Sequence, residues 1–167
     1  DGWFDSSSPN FSKDGKYLVF VSARTFNPTY SRTEWNHAYN NMQKVYILPL
    51  AKDATIPFAP ENDNLKIAET SKKEKETQEA NTVEYSFENT NNRIIELPVS
   101  ASSYYNTYMI GDNVYYNRGG QTYLYDLKKK KETGLGCHIS FGPLYRKALA
   151  WSGNNFQVID VPTSPVN

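Results

Sequence analysis

The chain is short of the residues that most often carry chemistry or bracing. A single cysteine, Cys137, rules out an intramolecular disulfide and leaves the redox compartment open. Only His37 and His138 could serve as an imidazole base. Net charge is absent too: 18 basic and 18 acidic side chains cancel, so no overall field draws the chain to nucleic acid or to an anionic membrane, and neither is expected as a partner. No apolar run is long enough to cross a bilayer, and the first residues, DGWFDSSSP, lack the basic-then-apolar order of a signal peptide. The chain reads as soluble, with periplasm and cytoplasm equally open.

Aromatic residues are plentiful. Thirteen Tyr, eight Phe and three Trp stand against two Met, a balance that favours β-structure with half-buried faces over a helical bundle. With 167 residues and 38% hydrophobic content, one modest core is expected, forming either a compact domain or part of a larger one.

Three segments share one plan, an apolar-aromatic strand, a connection and a second strand: YLVFVS to KVYILPLAK, NVYYNRGGQTYLYDLKK, and KALAWSGNNFQVIDVP. In the second and third, the connections Asn117-Arg118-Gly119-Gly120 and Ser152-Gly153-Asn154-Asn155 supply residues that accept the positive φ of tight hairpin turns. A turn and a further strand precede each hairpin: Asp14-Gly15 separates a strand near Asn10-Phe11-Ser12 from Tyr17 to Val21, Ile110-Gly111-Asp112-Asn113 precedes Val114, and Gly142-Pro143 precedes Leu149. Strand, turn, strand, turn, strand, repeated three times, is the rhythm of β-propeller blades. The expectation is an all-β partial β-propeller of about three antiparallel blades: a blade over 1–59, a charged linker or loop over 60–82, and two further blades over 83–167.

The rhythm breaks twice. PENDNLKIAETSKKEKETQEANT, residues 60–82, has no aromatic residue and crowds charges of both signs, the composition of a solvated spacer. The other break is the connection inside the first hairpin, residues 22–43, SARTFNPTYSRTEWNHAYNNMQ, where a turn of two to four residues would suffice. Phe26, Tyr30, Trp35 and Tyr39 can anchor this loop on itself, and Ser31 with Glu34 has capping-box spacing for one helical turn through Trp35 to Tyr39.

Residue chemistry argues against a catalytic centre. Nucleophilic serine chemistry needs a base that is itself oriented, and no GxSxG elbow is present. Glu34 with His37, or Cys137 with His138, offers two ligands where structural zinc takes four. No metal or cofactor is implied. Gly134-Leu135-Gly136 lacks the basic residue and helix start of a phosphate loop. Lys128 to Lys131 beside Tyr123 and Tyr125 reads as a solvated hairpin edge rather than a single-strand nucleic-acid platform.

The segment SPNFSKDGKYLVFVSARTFNPTYSRTEWNHAYNNMQKVYILPL resembles the tricorn proteases and their bacterial homologues, in which a blade of the SPxFSxDGKYL type carries an inserted FNPxYS…E…NHxY stretch. RIIELPVSASSYYNTYMIGDNVYY is similar to the family's LPV segment and the strand after it. YLYDLKKKKET and ALAWSGNNFQVIDV are similar to the last blade before its PDZ domain. VEYSFEN stands where the family's IDFDG-like strand is expected, after a longer and more basic connection. The resemblance implies the last part of a seven-bladed propeller in a large serine peptidase. Its catalytic residues would lie in later domains, and its propellers would filter or channel peptides. This chain would then be a non-catalytic segment, not an enzyme alone, with peptides or the remaining domains of the parent peptidase as partners. Arg24, Tyr30, Arg32, Trp35 and His37 are the candidate peptide contacts, because aromatic residues and arginine dominate binding hot spots. Open propeller edges would also favour self-association. The alternative is a free-standing propeller-like module binding a protein or glycan partner.

Overall fold

The computed structural model describes residues 3–26, 28–30, 37–59, 83–142 and 145–166, with backbone alone for residues 29, 30 and 37–39. The strands are β1 (Ser6–Phe11), β2 (Tyr17–Ser22), β3 (Pro28–Tyr30), β4 (His37–Tyr39), β5 (Lys44–Pro49), β6 (Ile95–Glu96), β7 (Tyr105–Ile110), β8 (Asn113–Arg118), β9 (Gln121–Asp126), β10 (Lys131–Gly134), β11 (His138–Phe141), β12 (Lys147–Ser152) and β13 (Asn155–Asp160). They form three antiparallel sheets, ordered β1-β2-β5-β6, β10-β9-β8-β7 and β11-β12-β13, plus the two-stranded β3-β4 ribbon. The only other regular element described is a 3-10 turn at Thr90–Arg93. The all-β, three-bladed reading therefore holds.

Period-two alternation explains the stacking. On β2 and β5, Val19, Val21, Val45 and Ile47 share one fully buried face, each contributing about 1.5–3 kcal/mol of burial. That face packs on Val114, Tyr116 and Tyr125 of the second sheet. The second sheet is covered on both sides, and so VYY in β8 reads as an unbroken apolar run. Tyr115 and Leu124, on its other face, meet Ile139, Phe141, Ala148 and Ala150 of the third sheet, with the Phe141 ring 4.8 Å from Tyr115 and 4.9 Å from Tyr108. Polar groups caught between these sheets are satisfied. Thr122 Oγ1 donates to Asn117 Oδ1 at 2.6 Å and accepts from the Ile139 amide at 2.8 Å.

The sheets fan from a common inner edge. Thr107 Oγ1 on β7 donates to Ser8 O at 2.6 Å, and the Lys13 amide donates to Met109 O at 3.1 Å. Tyr145, in the β11–β12 connection, donates to Asn10 Oδ1 at 3.0 Å. The first and third sheets thus touch at this edge although the second lies between them. That is the geometry of propeller blades around an axis.

Two sequence expectations change. Residues 37–39 pair as β4 with β3, Tyr30 opposite His37 and Pro28 opposite Tyr39, so the helical turn expected through Trp35 to Tyr39 does not form at its C-terminal end; ladder hydrogen bonds claim the amides that a helix would use. The first sheet also runs past residue 59, because its fourth strand, β6, comes from residues 95–96. Segment 60–82, which lies outside the described residues, is therefore an insertion between the third and fourth strands of one blade. VEYSFEN makes only the isolated Tyr85–Ala51 bridge rather than a strand.

Candidate functional site

The inserted segment leaves β2 at Ser22 and returns to β5 through Gln43. Its stem continues the hairpin, the Thr25 amide donating to Met42 O at 3.1 Å. Beyond it, β3 and β4 bring the backbones of two candidate contacts, Tyr30 and His37, directly opposite each other. Arg32 and Trp35 lie outside the described residues, as does Glu34.

Arg24 is placed differently. Its guanidinium lies 5.2 Å from the Phe4 ring centre, 5.6 Å from Tyr46 and 5.9 Å from Phe20, and its Nε donates to Ser22 Oγ at 3.2 Å. Phe20 and Tyr46 stack at 5.8 Å on the outer face of the first sheet. Arg24 therefore anchors the stem to that face by cation–π contact. Lys44 Nζ reaches Glu96 at 2.5 Å on the same sheet, and Tyr46 Oη reaches it at 3.3 Å, an arrangement that ties β5 to β6.

Gln43 clamps the other leg of the stem to the connector between the first two sheets. The Ser102 amide donates to Gln43 O at 3.0 Å and the Tyr104 amide to Gln43 Oε1 at 3.1 Å. Tyr104 in turn donates its hydroxyl to Ser100 O and accepts from Arg118 at 3.2 Å. Arg118 sits at the end of β8, beside the Gly119-Gly120 turn whose two residues have φ of +56° and +85°. Its guanidinium lies 4.1 Å from the Tyr123 ring centre and bonds Glu132 at 3.0 Å, and Glu132 accepts the Tyr116 hydroxyl at 2.6 Å. One network of Arg, Glu and three Tyr side chains thus lies at the end of the stack from which the insertion springs.

The electrostatics are those of a closed network. Burial first, then the Glu132 carboxylate, pushes the Tyr116 hydroxyl far above the usual phenol range. Burial also raises Tyr104, partly offset by Arg118. Around Arg118, burial favours the neutral form, but bonding to Tyr104, Tyr123 and Glu132 outweighs it and holds the guanidinium charged. All three shifts, those of Tyr104, Tyr116 and Arg118, run away from neutrality. Among the described residues no three His, Cys, Asp or Glu side chains could share a metal. Cys137 is buried and its thiol is pushed up by burial, while His138 stacks on Trp151 at 5.2 Å. The lysines of the β9–β10 turn are exposed, Lys128 pairing with Asp112 at 2.6 Å and Lys129 with Asp126 at 3.1 Å. The arrangement can hold and orient a surface. The network itself, Arg118, Glu132 and the three tyrosines, contains no Ser, Cys or His.

Sequence reasoning singled out neither Gln43 nor the Arg118 network. Arg118 precedes a Gly-Gly turn and Glu132 lies on the strand after next, but only the β8–β9–β10 register makes them neighbours.

Comparison with known proteins completes the picture. The family model described as the tricorn protease second beta propeller domain matches residues 1–141. Tricorn protease homolog 1 of Streptomyces coelicolor is 29% identical over 102 residues, 60% of this chain and 10% of that protein. The crystal structure of the tricorn protease superposes with a TM-score of 0.59 at 19% identity, over 89% of this chain and 15% of that one. The chain spans about a tenth of the curated relative's length.

Proposed function

Because the chain belongs to the family of the second β-propeller domain of tricorn protease, we propose that it is a non-catalytic segment of a tricorn-like serine peptidase in which the inserted ribbon gates, channels or docks peptides. The observation that carries this reading is the double anchorage of the insertion. Arg24 fixes one leg to the first sheet, and Gln43 fixes the other to the connector leading into the second. Anchorage of both legs of the stem is what a binding element requires. Arg24, Tyr30, Arg32, Trp35 and His37 are the contacts proposed for the peptide, and Arg24 also anchors the stem. The apolar outer faces of the first and third sheets are where the remaining domains of the parent, or a second copy, would associate.

The test is Trp35→Ala with Arg32→Ala in the full-length protease. A gating ribbon lowers kcat/KM for long peptides by about tenfold while a small chromogenic substrate is unaffected, because remote contacts act only on substrates long enough to reach them. Equal losses on both substrates, accompanied by a lower melting temperature, would show a merely buttressing loop. Turnover by the pure chain, blocked by a serine-directed inhibitor, would overturn the non-catalytic assignment.

A further inference from the structure

The ladder that joins the insertion to the first sheet slips by one residue. Ser22 faces Lys44 where β2 and β5 end, whereas Pro28 faces Tyr39 and Tyr30 faces His37 on β3 and β4, and the Thr25 amide already donates to Met42 O at 3.1 Å. Between the Ser22–Lys44 and Thr25–Met42 pairs the first leg therefore has two residues, Ala23 and Arg24, and the second leg only Gln43. That is a β-bulge, which bends the strands that contain it and gives them a new direction beyond it. We propose that Gln43 is a positioning residue for peptide handling: it sets the direction in which β3 and β4 leave the bulge by tying them to the second sheet. This deepens the gating reading above and rests on it.

At the bulge the two legs turn to different partners. The Ala23 amide donates to Asp5 O at 2.9 Å, just ahead of β1, and Arg24, the extra residue, lies over the rings of Phe4, Phe20 and Tyr46. On the other leg Gln43 forms an isolated bridge with Ser102 and accepts two amides, that of Ser102 on its backbone oxygen at 3.0 Å and that of Tyr104 on Oε1 at 3.1 Å. Residues 102–104 lead straight into β7. Tyr104 is 3% exposed, its ring is edge-to-face with Tyr116 at 5.3 Å, and its hydroxyl accepts from Arg118 at 3.2 Å, so this end of the connector is fixed on the second sheet. Two residues beyond Gln43, Asn41 has a φ of +54°, a left-handed residue that turns the second leg once more.

The two anchors differ in kind. A guanidinium over ring faces keeps its attraction while it slides or tilts, and the three rings lie 5.2 to 5.9 Å from Arg24. A hydrogen bond weakens steeply as its angle closes. Two of them, to the side chain and the carbonyl of one residue, fix both its place and its rotation. Arg24 thus holds the stem on the first sheet, and Gln43 aims it. A shift of the second sheet against the first carries Ser102 and Tyr104 with it, and Gln43 passes that shift to the ribbon.

The experiment places spin labels at Ala38→Cys on β4 and Lys131→Cys on β10, with the buried Cys137 replaced by Ala, and reads the distance between them by pulsed electron paramagnetic resonance. Gln43→Met keeps the length of the side chain and removes its acceptor; it should shift the mean distance or broaden the distribution at least about twofold. Gln43→Glu, which keeps an acceptor for the Tyr104 amide, should restore the parent distribution. Arg24→Met should change it less than Gln43→Met does. In the full-length protease Gln43→Met should lower kcat/KM for long peptides by about tenfold and spare a small chromogenic substrate, with Gln43→Glu close to the parent. An unchanged distance in Gln43→Met, an equal change in Gln43→Glu, or a larger one in Arg24→Met would overturn the proposal. Gln43→Ser, whose hydroxyl is too short to reach the Tyr104 amide, takes the place of Gln43→Met should that variant misfold. The distance is read without substrate, whereas Trp35→Ala with Arg32→Ala is read by turnover, so failure of the positioning role and failure of the ribbon's gating role are separable.

Discussion

Replacing Tyr116 by Phe removes one hydroxyl from the centre of the Arg118 network and leaves its ring in place. That ring is fully buried, edge-to-face with Tyr104 at 5.3 Å and parallel to Tyr123 at 6.1 Å. The lost bond, 2.6 Å to Glu132, is a hydrogen bond to a charged acceptor, worth about 1.5–3 kcal/mol. Glu132 keeps Arg118 at 3.0 Å and is 30% exposed, so water can replace part of the loss and the lower end, about 1.5 kcal/mol, is expected. Glu132→Gln should cost about as much, because it leaves the Arg118 guanidinium, 18% exposed, without its carboxylate. Since Glu132→Gln takes the charge from the acceptor of the bond that Tyr116→Phe removes, the double variant should fall short of additivity by about 1 kcal/mol. Urea unfolding read by circular dichroism and fluorescence gives the four stabilities. Amide exchange at Ser102 and Tyr104, whose N–H groups hold Gln43, should quicken, because Tyr104 is shared by network and clamp. Tyr116→Phe within about 0.5 kcal/mol of the parent sequence, or strictly additive losses, would refute the reasoning. The network would then be a set of independent contacts with no hold on the insertion's stem.

Alkaline pH should unfold the chain cooperatively. Burial pushes Tyr115 up to about 12 and Tyr116 higher still, whereas an unfolded tyrosine ionises near 10. A raised folded pKa gives stability that is complete below pH ~10 and is lost above it, by about 1.4 kcal/mol per pH unit for each such tyrosine; phenolate absorbance appearing in full near pH 10 with the fold intact would contradict this. Replacing residues 62–80 by a six-residue Gly/Ser connection should change stability by only about 1 kcal/mol, since closure entropy varies slowly with length. Residues 84–86 already return beside Leu50 to Lys52, with the Ser86 amide on Leu50 O at 2.9 Å and the Lys52 amide on Glu84 O at 3.0 Å. A fall of several kcal/mol in urea unfolding would show that the segment packs as structure.

Local features were legible from the residues alone. Alternation in YLVFVS and KVYILP and the Gly-Gly turn in NRGGQ specify hairpins through side-chain period and backbone φ, both properties of near neighbours. Threefold repetition of that pattern was enough to read stacked blades, because a lone hairpin cannot bury both faces of VYY. The order of FNPTYS, NHAY and ELPV was likewise enough to point to the family. What depends on partners distant in sequence was not legible. The pairing of β6 with β5 across the charged segment is one case: two residues, Ile95 and Glu96, carry no period of their own, and only the edge left open by β5 makes them a strand. The seating of Arg24 over Phe4, Phe20 and Tyr46, which come from three separate stretches of the chain, is another. Backbone hydrogen bonding is satisfied by whichever segment the packed sheets bring within reach, so tertiary structure, not local propensity, chooses the partner.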